Sequence, residues 1–187
     1  MITIGLDLSM TSTGVTIYDT EKHTAQYYIV CNKITQKAQK ELDKIDFIDT
    51  IVLQKITCDK NESSSVKEEC KTYNIYNIVK QIERIVQNHK PVLAGIEGVS
   101  FGSTGSVADL AGLNYAVRIM LIDNGLSTIK IIPPSQNKKF ATGNGSADKS
   151  VMLSAWKKID NRVSHLPDYI KLDDVADSYF LSRICCL

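Results

Sequence analysis

Several features that mark particular classes of protein are scarce in this chain of 187 residues. It has four prolines, one tryptophan and three histidines, and its 22 basic residues nearly balance its 21 acidic ones. No apolar run approaches the ~20 residues of a membrane-spanning helix, and the N-terminus lacks the basic and apolar regions of a signal peptide. We therefore expect a cytoplasmic protein that makes no contact with a membrane.

Cysteine usage gives no sign of a disulfide framework or a zinc site. The five cysteines are odd in number and show no Cys-x-x-Cys spacing, which predicts reduced thiols in a reducing compartment. A length of 187 residues, with 43% hydrophobic and 23% charged residues, is typical of one globular domain. We found no internal repeat and predict a single domain over residues 1–187.

The hydrophobic pattern predicts strands first and then alternating helices and strands. Residues 2–7, 14–19 and 25–30 read as an antiparallel meander, and residues 92–96 and 128–132 as buried strands. Helices are predicted at 75–86, from about 106 to 124, at 147–159 and at 172–183, with Tyr115 and Trp156 in the core. This order favours an α/β fold with a mixed central sheet flanked by helices.

Two stretches are harder to interpret. Within residues 32–75, the run 51–56 is a possible strand, and the polar run 59–65 predicts a mobile loop. The polar, glycine-containing stretch 135–146 also predicts a loop.

Four carboxylates are the most informative feature. Asp7 and Glu97 each end a predicted strand, at the edge where open α/β sheets place their ligands. Asp174 and Asp177 are three residues apart on the last predicted helix, so they share one face. Two carboxylates about 4 Å apart repel by roughly 4 kcal/mol at an effective dielectric of 20, so clustering them requires a cation. Oxygen ligands suit Mg²⁺ or Mn²⁺, and the natural use of such a site is phosphoryl chemistry.

Basic residues are concentrated in one part of the chain. Residues 130–162 contain seven lysines and arginines against two aspartates, which predicts one surface that faces a polyphosphate or is simply solvated. The members are Lys130, Lys138, Lys139, Lys149, Lys157, Lys158 and Arg162.

The motifs around these residues resemble those of the RuvC family of Holliday-junction resolvases, within the RNase H-like superfamily, and its viral members most. Asp7-Leu-Ser-Met-Thr-Ser-Thr-Gly14 is similar to the first-strand signature, and Ile96-Glu97 to the second acidic motif. The run 145–150, which contains Lys149, is similar to the lysine motif, and 171–178 to the terminal motif, in which Asp174 aligns better than Asp173. The resemblance covers most of the chain except residues 32–75, a variable segment that is longer here.

The resemblance implies an RNase H-like fold and a crossover junction endodeoxyribonuclease. Its ligands for two Mg²⁺ ions, which Mn²⁺ could replace, would be Asp7, Glu97, Asp174 and Asp177. Lys149 would lie near the scissile phosphate, and Lys138 and Lys139 would bind the DNA backbone. The family has an aromatic three residues after the glutamate; this chain has Ser100 there and Phe101 one place on, so we expect Phe101 to contact DNA.

Two alternatives remain open on the sequence alone. An RNase H-type nuclease that cuts RNA in RNA–DNA hybrids would use the same acids. A module of the actin-like class also begins with a strand, an Asp, a short loop and a Gly, although such proteins need two domains to enclose a nucleotide.

A four-way junction has near two-fold symmetry, which predicts a homodimer with one active site for each nicked strand. We expect the interface on the helix of residues 106–124, with Val117 in its apolar face, or else on the helix of residues 75–86.

Overall fold

The computed structural model describes residues 1–99 and 107–187, which form a six-stranded sheet covered by helices on both faces. The strands are β1 (Ile2–Asp7), β2 (Ser12–Asp19), β3 (Thr24–Cys31), β4 (Ile48–Val52), β5 (Leu93–Glu97) and β6 (Thr128–Ile132). The helices are α1 (Gln36–Leu42), α2 (Ser64–His89), α3 (Val107–Asp123), α4 (Pro134–Thr142), α5 (Lys149–Ile159) and α6 (Asp173–Ile184).

The sheet is mixed, as the sequence predicted. Its order is β4-β3-β2-β1-β5-β6, in which β1, β2 and β3 form the antiparallel meander. The strand β5 pairs in parallel with both β1 and β6, and β4 pairs in parallel with β3. The parallel strands β1 and β5 therefore end together at one edge of the sheet.

Side-chain alternation divides the protein into two apolar layers. In β1, Ile4 and Leu6 point to the face covered by α2 and α3, where they pack with Ile82 and Leu121. On the opposite face, Thr3 donates a hydrogen bond of 2.7 Å to the Ser182 carbonyl of α6. The helices α1, α5 and α6 cover this second face around the fully buried Trp156, which confirms its predicted place in the core.

Three boundaries differ from the prediction. The strand β4 covers Ile48–Val52 rather than 51–56. The helix α2 starts far earlier than residue 75, because Ser63 caps it by accepting a hydrogen bond from the Val66 amide, so the predicted 59–65 loop is shorter. The stretch 135–146 is not all loop, since α4 starts with Pro134 in its first turn and ends at Gly143, whose φ of 80° suits glycine.

Two burial predictions were wrong. The strand β6 lies at the sheet edge, and most of its residues are exposed or half-buried rather than buried. Tyr115 is 63% exposed on the outer face of α3, whereas Val117 is fully buried against the chain's own core. The apolar residues of α3 surround the helix, so periodicity could not tell its inner face from its outer one.

The structure has all five cysteines as free thiols. No helix within residues 1–99 and 107–187 has the length and apolar character needed to cross a membrane.

Candidate active site

Strand register places Asp7 and Glu97 side by side. Leu6 of β1 lies opposite Ile96 of β5 in a parallel pair, and each acid is the next residue of its strand. Alternation turns both acids away from the α2–α3 layer and toward α6. Each thus stands at the carboxyl end of a strand, as the sequence predicted.

Glycines let α6 pack directly on the strands and bring its acids to the same place. Gly14 of β2 lies opposite Asp7, and a Cβ atom at Gly14 would overlap the carbonyl oxygen of Asp174. A Cβ atom at Gly5 would likewise overlap the carbonyl oxygen of Ser178. Helix backbone therefore touches strand backbone, and Asp174 and Asp177 lie next to Asp7 and Glu97.

The electrostatics show that the four carboxylates share one partly desolvated space. Burial raises the pKa of Asp7 well above its ordinary value, and the charges of Glu97, Asp174 and Asp177 raise it further. Burial, followed by the charge of Asp177, raises the pKa of Glu97 to about 7. Burial also raises the pKa of Asp177 to about 6 and the pKa of Asp174 above its usual range. Several partly buried carboxylates that raise one another's pKa are typical of functional sites.

The donor set is chemically suited to a hard divalent cation, because all four side chains offer carboxylate oxygens. Within the described ranges, no three histidine, cysteine or acidic side chains are already gathered at the distances that would ligate one ion. A cation bound among the four carboxylates would offset their mutual repulsion.

Two predicted lysines lie at the cluster. Lys149, the first residue of α5, is 2.6 Å from the Asp173 carboxylate and 3.8 Å from that of Asp174. Lys138 of α4 is near enough to oppose the rise in the pKa of both Glu97 and Asp177, for which burial is the main cause. Asp173 thus holds the lysine rather than facing Asp7.

Other predicted contacts are not brought to the cluster. Lys139 is exposed on α4 and is not among the groups that perturb the carboxylates. Phe101 lies outside the described residues, as does Ser100.

The basic region 130–162 does not form one continuous face. Lys157 is turned inward, where it pairs with Asp168 at 2.9 Å and donates to the Leu166 carbonyl. Arg162 pairs with Asp160 at 2.7 Å and stacks on Phe47. Lys157 and Arg162 therefore pair with acids of this chain. Among the basic residues of 130–162, Lys138 and Lys149 are the ones nearest the carboxylates.

Three supporting residues were missed by the sequence interpretation. Ser12 lies close enough to the carboxylate of Asp174 to oppose the effect of burial on its pKa. Asn114, 2% exposed, donates to the backbone carbonyl of Glu97 at 3.2 Å, and Asn137, 1% exposed, donates to that of Asp177 at 3.2 Å. The side-chain oxygen of each asparagine has no partner within the described part of the chain. Asn114, a polar residue within the apolar run of a predicted helix, had a signal in the sequence, whereas Ser12 and Asn137 lie in segments that the sequence did not predict as helix or strand.

Comparison with known proteins identifies the family of the chain. The model of the family described as crossover junction endodeoxyribonuclease RuvC matches residues 54–184, well over half of the chain. No curated protein matches the sequence significantly.

Solved structures of RuvC share the fold at low sequence identity. A Thermus thermophilus RuvC structure superposes with a TM-score of 0.57 at 14% identity, over 98% of this chain and 96% of that one. T. thermophilus RuvC in complex with a Holliday junction substrate gives 0.58 at 15% identity, over 97% and 90%. A fowlpox virus resolvase in complex with Holliday junction DNA gives 0.47 at 15% identity, over 98% and 95%.

The mixed sheet flanked by helices is thus the RNase H-like fold that the motifs implied. The family match favours a junction nuclease over the actin-like alternative. The chain belongs to the RuvC family of crossover junction endodeoxyribonucleases.

Proposed function

We propose that this protein nicks and resolves four-way DNA junctions by metal-dependent hydrolysis at the cluster of Asp7, Glu97, Asp174 and Asp177. The observation that carries the proposal is the packing of α6 on the glycine face of β1 and β2, which adds two helix carboxylates to two strand-end carboxylates. Family membership supports the junction as substrate.

RuvC-like resolvases depend in general on divalent cations. The four carboxylates would hold two Mg²⁺ ions, with Mn²⁺ as a substitute. Bound there, the ions would supply an activated hydroxide and charge stabilisation for the leaving 3′ oxygen. Ser12 would keep one Asp174 oxygen oriented, and the two buried asparagines would fix the backbone of Glu97 and Asp177.

The lysines have separable roles in this proposal. Lys149 has a side chain that is 68% exposed, so it can leave Asp173 and approach the scissile phosphate, where it would offset developing negative charge. Lys138 and Lys139 would bind the DNA backbone, which contributes affinity without base readout. Contact between Phe101 and DNA remains a prediction, as does a cytoplasmic location.

A substrate panel tests the proposed function. Wild-type protein would be assayed in Mg²⁺ on four-way, three-way, flap, duplex and RNA–DNA hybrid substrates of matched length. We expect paired, symmetric nicks in the four-way junction at the highest rate. Preferential cutting of the hybrid would instead support the RNase H alternative.

We further propose that the protein acts as a homodimer through the outer face of α3. Tyr115, Ile119 and Ile122 lie one turn apart on that face and are 63%, 59% and 61% exposed. Tyr73 and Tyr76 of the adjacent α2 are also exposed. The Arg118 guanidinium stacks 5.0 Å from the Tyr115 ring. Aromatic residues and arginine are enriched in interfaces, which supports a second copy as the partner.

Sedimentation tests this assembly. Ile119→Glu should give a folded monomer that nicks one strand without paired resolution, because it places a charge in the interface. Val117→Glu is unsuitable, since Val117 lies in the core. A wild-type protein that sediments as a monomer with junction DNA bound would contradict the dimer.

A further inference from the structure

A cleft of about 280 Å³ opens beside the acidic cluster. One wall is formed by the end of β3 and the start of α1, and the other by the segment that leads into α6. Ser12 lines the cleft and also lies close enough to the Asp174 carboxylate to lower its pKa, against the larger effect of burial, so the cleft adjoins the cluster. A strand bound at Asp174 would thus have this cleft beside it.

The cleft has an apolar floor and a basic rim. The buried side chains of Ile29, Cys31, Ala38 and Ile170 form the floor. Lys33, Lys171 and the half-exposed ring of Tyr169 lie at the rim, and none of the described residues that line the cleft is acidic.

The basic side chains at this rim are not neutralised. Among the described residues, neither Lys33 nor Lys171 is ion-paired, and Lys37 lies 4.0 Å from the centroid of the Tyr169 ring. Lys171 is close enough to the cluster to lower the pKa of Asp174, against the larger opposite effect of burial. Positive charge thus extends from the rim to the edge of the carboxylates.

We infer that this cleft binds one nucleotide of the strand that is nicked, with the base over the apolar floor and the flanking phosphates at Lys33 and Lys171. The inference rests on the proposed function and gives residues 33–38 of the long variable segment a role in DNA binding. The cavity is smaller than those that take drug-sized ligands, which suits a single base. An apolar floor with an aromatic and lysines at its rim matches sites that bind unstacked bases without sequence readout.

A double-perturbation cycle tests the contact. After the wild-type nick position is mapped, abasic sites replace each of the two nucleotides that flank it, and kcat/KM is measured. At one position we expect a loss of about tenfold, because one stacked base contributes about that much. Tyr169→Ala should lose about tenfold on the intact junction and little more on the abasic one. Additive losses would overturn the inference, as would no loss at either position.

A matched pair of lysines on α1 controls for general charge. Neither lysine lines the cleft, but Lys37 lies over the Tyr169 ring at its rim. Lys37→Ala should weaken junction binding and lower its dependence on salt, whereas Lys40→Ala, at an exposed lysine of the same helix without a contact to Tyr169, should change both less. Equal effects of the two variants would mean that the helix only adds a diffuse positive field.

Photocrosslinking separates this inference from the proposed nuclease activity. Junctions that carry 5-iodouracil next to the nick position are bound in Ca²⁺, irradiated and mapped by mass spectrometry. We expect adducts on Tyr169 or within residues 33–38. If the protein nicks junctions but the adducts lie only outside the cleft, the inferred nucleotide site is wrong and the nuclease proposal stands. If adducts form in the cleft but the protein nicks no junction, the nuclease proposal is wrong and the nucleotide site stands. Failure to bind any branched DNA would overturn both.

Discussion

Replacing Asp177 with asparagine should stabilise the metal-free protein while removing its activity. Burial raises the pKa of Asp177 from 3.8 to about 6, although the positive charge of Lys149 opposes part of that rise. The folded protein therefore disfavours the ionised carboxyl relative to the unfolded chain. The contribution of the protonated Asp177 carboxyl to the free energy of unfolding is complete below pH 3.8 and is lost as the pH rises through about 6. Since one pKa unit corresponds to about 1.4 kcal/mol, the loss by pH 8 is about 3 kcal/mol.

Asparagine has nearly the same shape and does not ionise, so Asp177→Asn should unfold at higher urea concentration than wild type at pH 8 in EDTA. The difference in the free energy of unfolding should approach about 3 kcal/mol at pH 8 and vanish near pH 3.5. Asp123→Asn, at an exposed acid that ends α3, is the matched control and should change little. If the Asp177 variant is no more stable than wild type at pH 8 without metal, the account of a repulsive, desolvated cluster is wrong.

Magnesium should reduce that difference in stability between the two proteins. Wild type should gain about 2.7 kcal/mol at a Mg²⁺ concentration 100 times its Kd, because the ion binds only the folded state. The Asp177→Asn variant, with one fewer anionic ligand, should gain less at the same concentration. Equal gains for the two proteins would place the ions elsewhere.

Three further predictions concern the elements around the cluster. Gly14→Ala should lower the free energy of unfolding by about 3 kcal/mol and abolish cleavage, because the added Cβ forces α6 away from β2. The control Gly112→Ala adds a Cβ in ordinary space inside α3, so this variant should unfold at the same urea concentration as wild type or a slightly higher one. Lys149→Gln should slow single-turnover cleavage by about 10²-fold at unchanged junction affinity, whereas a proportional loss of affinity would make it a simple backbone contact. Lys138→Ala should reduce the slope of log affinity against log salt by up to about one, and Lys22→Ala, at the far end of β2, should leave that slope unchanged.

The carboxylate cluster could be predicted from the sequence because each member has a local signal. Asp7 and Glu97 end apolar strands, and the three-residue spacing of Asp174 and Asp177 fixes their common face on α6. Parallel pairing of β1 with β5 then suffices to place the two strand-end acids together. The mixed sheet was predictable for the same reason, since its strands and helices alternate in the pattern of hydrophobic residues.

The remaining parts depend on tertiary packing that leaves no local signal. Lys157 and Arg162 form ion pairs with Asp168 and Asp160 of this chain, so a count of basic residues overestimated the positive charge available to DNA. The exposure of Tyr115 depends on which side of α3 meets the sheet. The hydrogen bonds of the buried asparagines to the backbone of Glu97 and Asp177 join residues 17 and 40 positions apart.

The central claim is that the four carboxylates hold the ions that drive junction cleavage, and Asp7→Asn tests it most directly. Asp7 lies where β1, β2, β5 and α6 meet, and the charges of the other three carboxylates all act on it. Binding to a four-way junction in Ca²⁺ and cleavage of the same junction in Mg²⁺ would be measured for wild type and variant in parallel. We predict unchanged binding and a loss of cleavage by orders of magnitude, whereas cleavage at the wild-type rate would contradict the account.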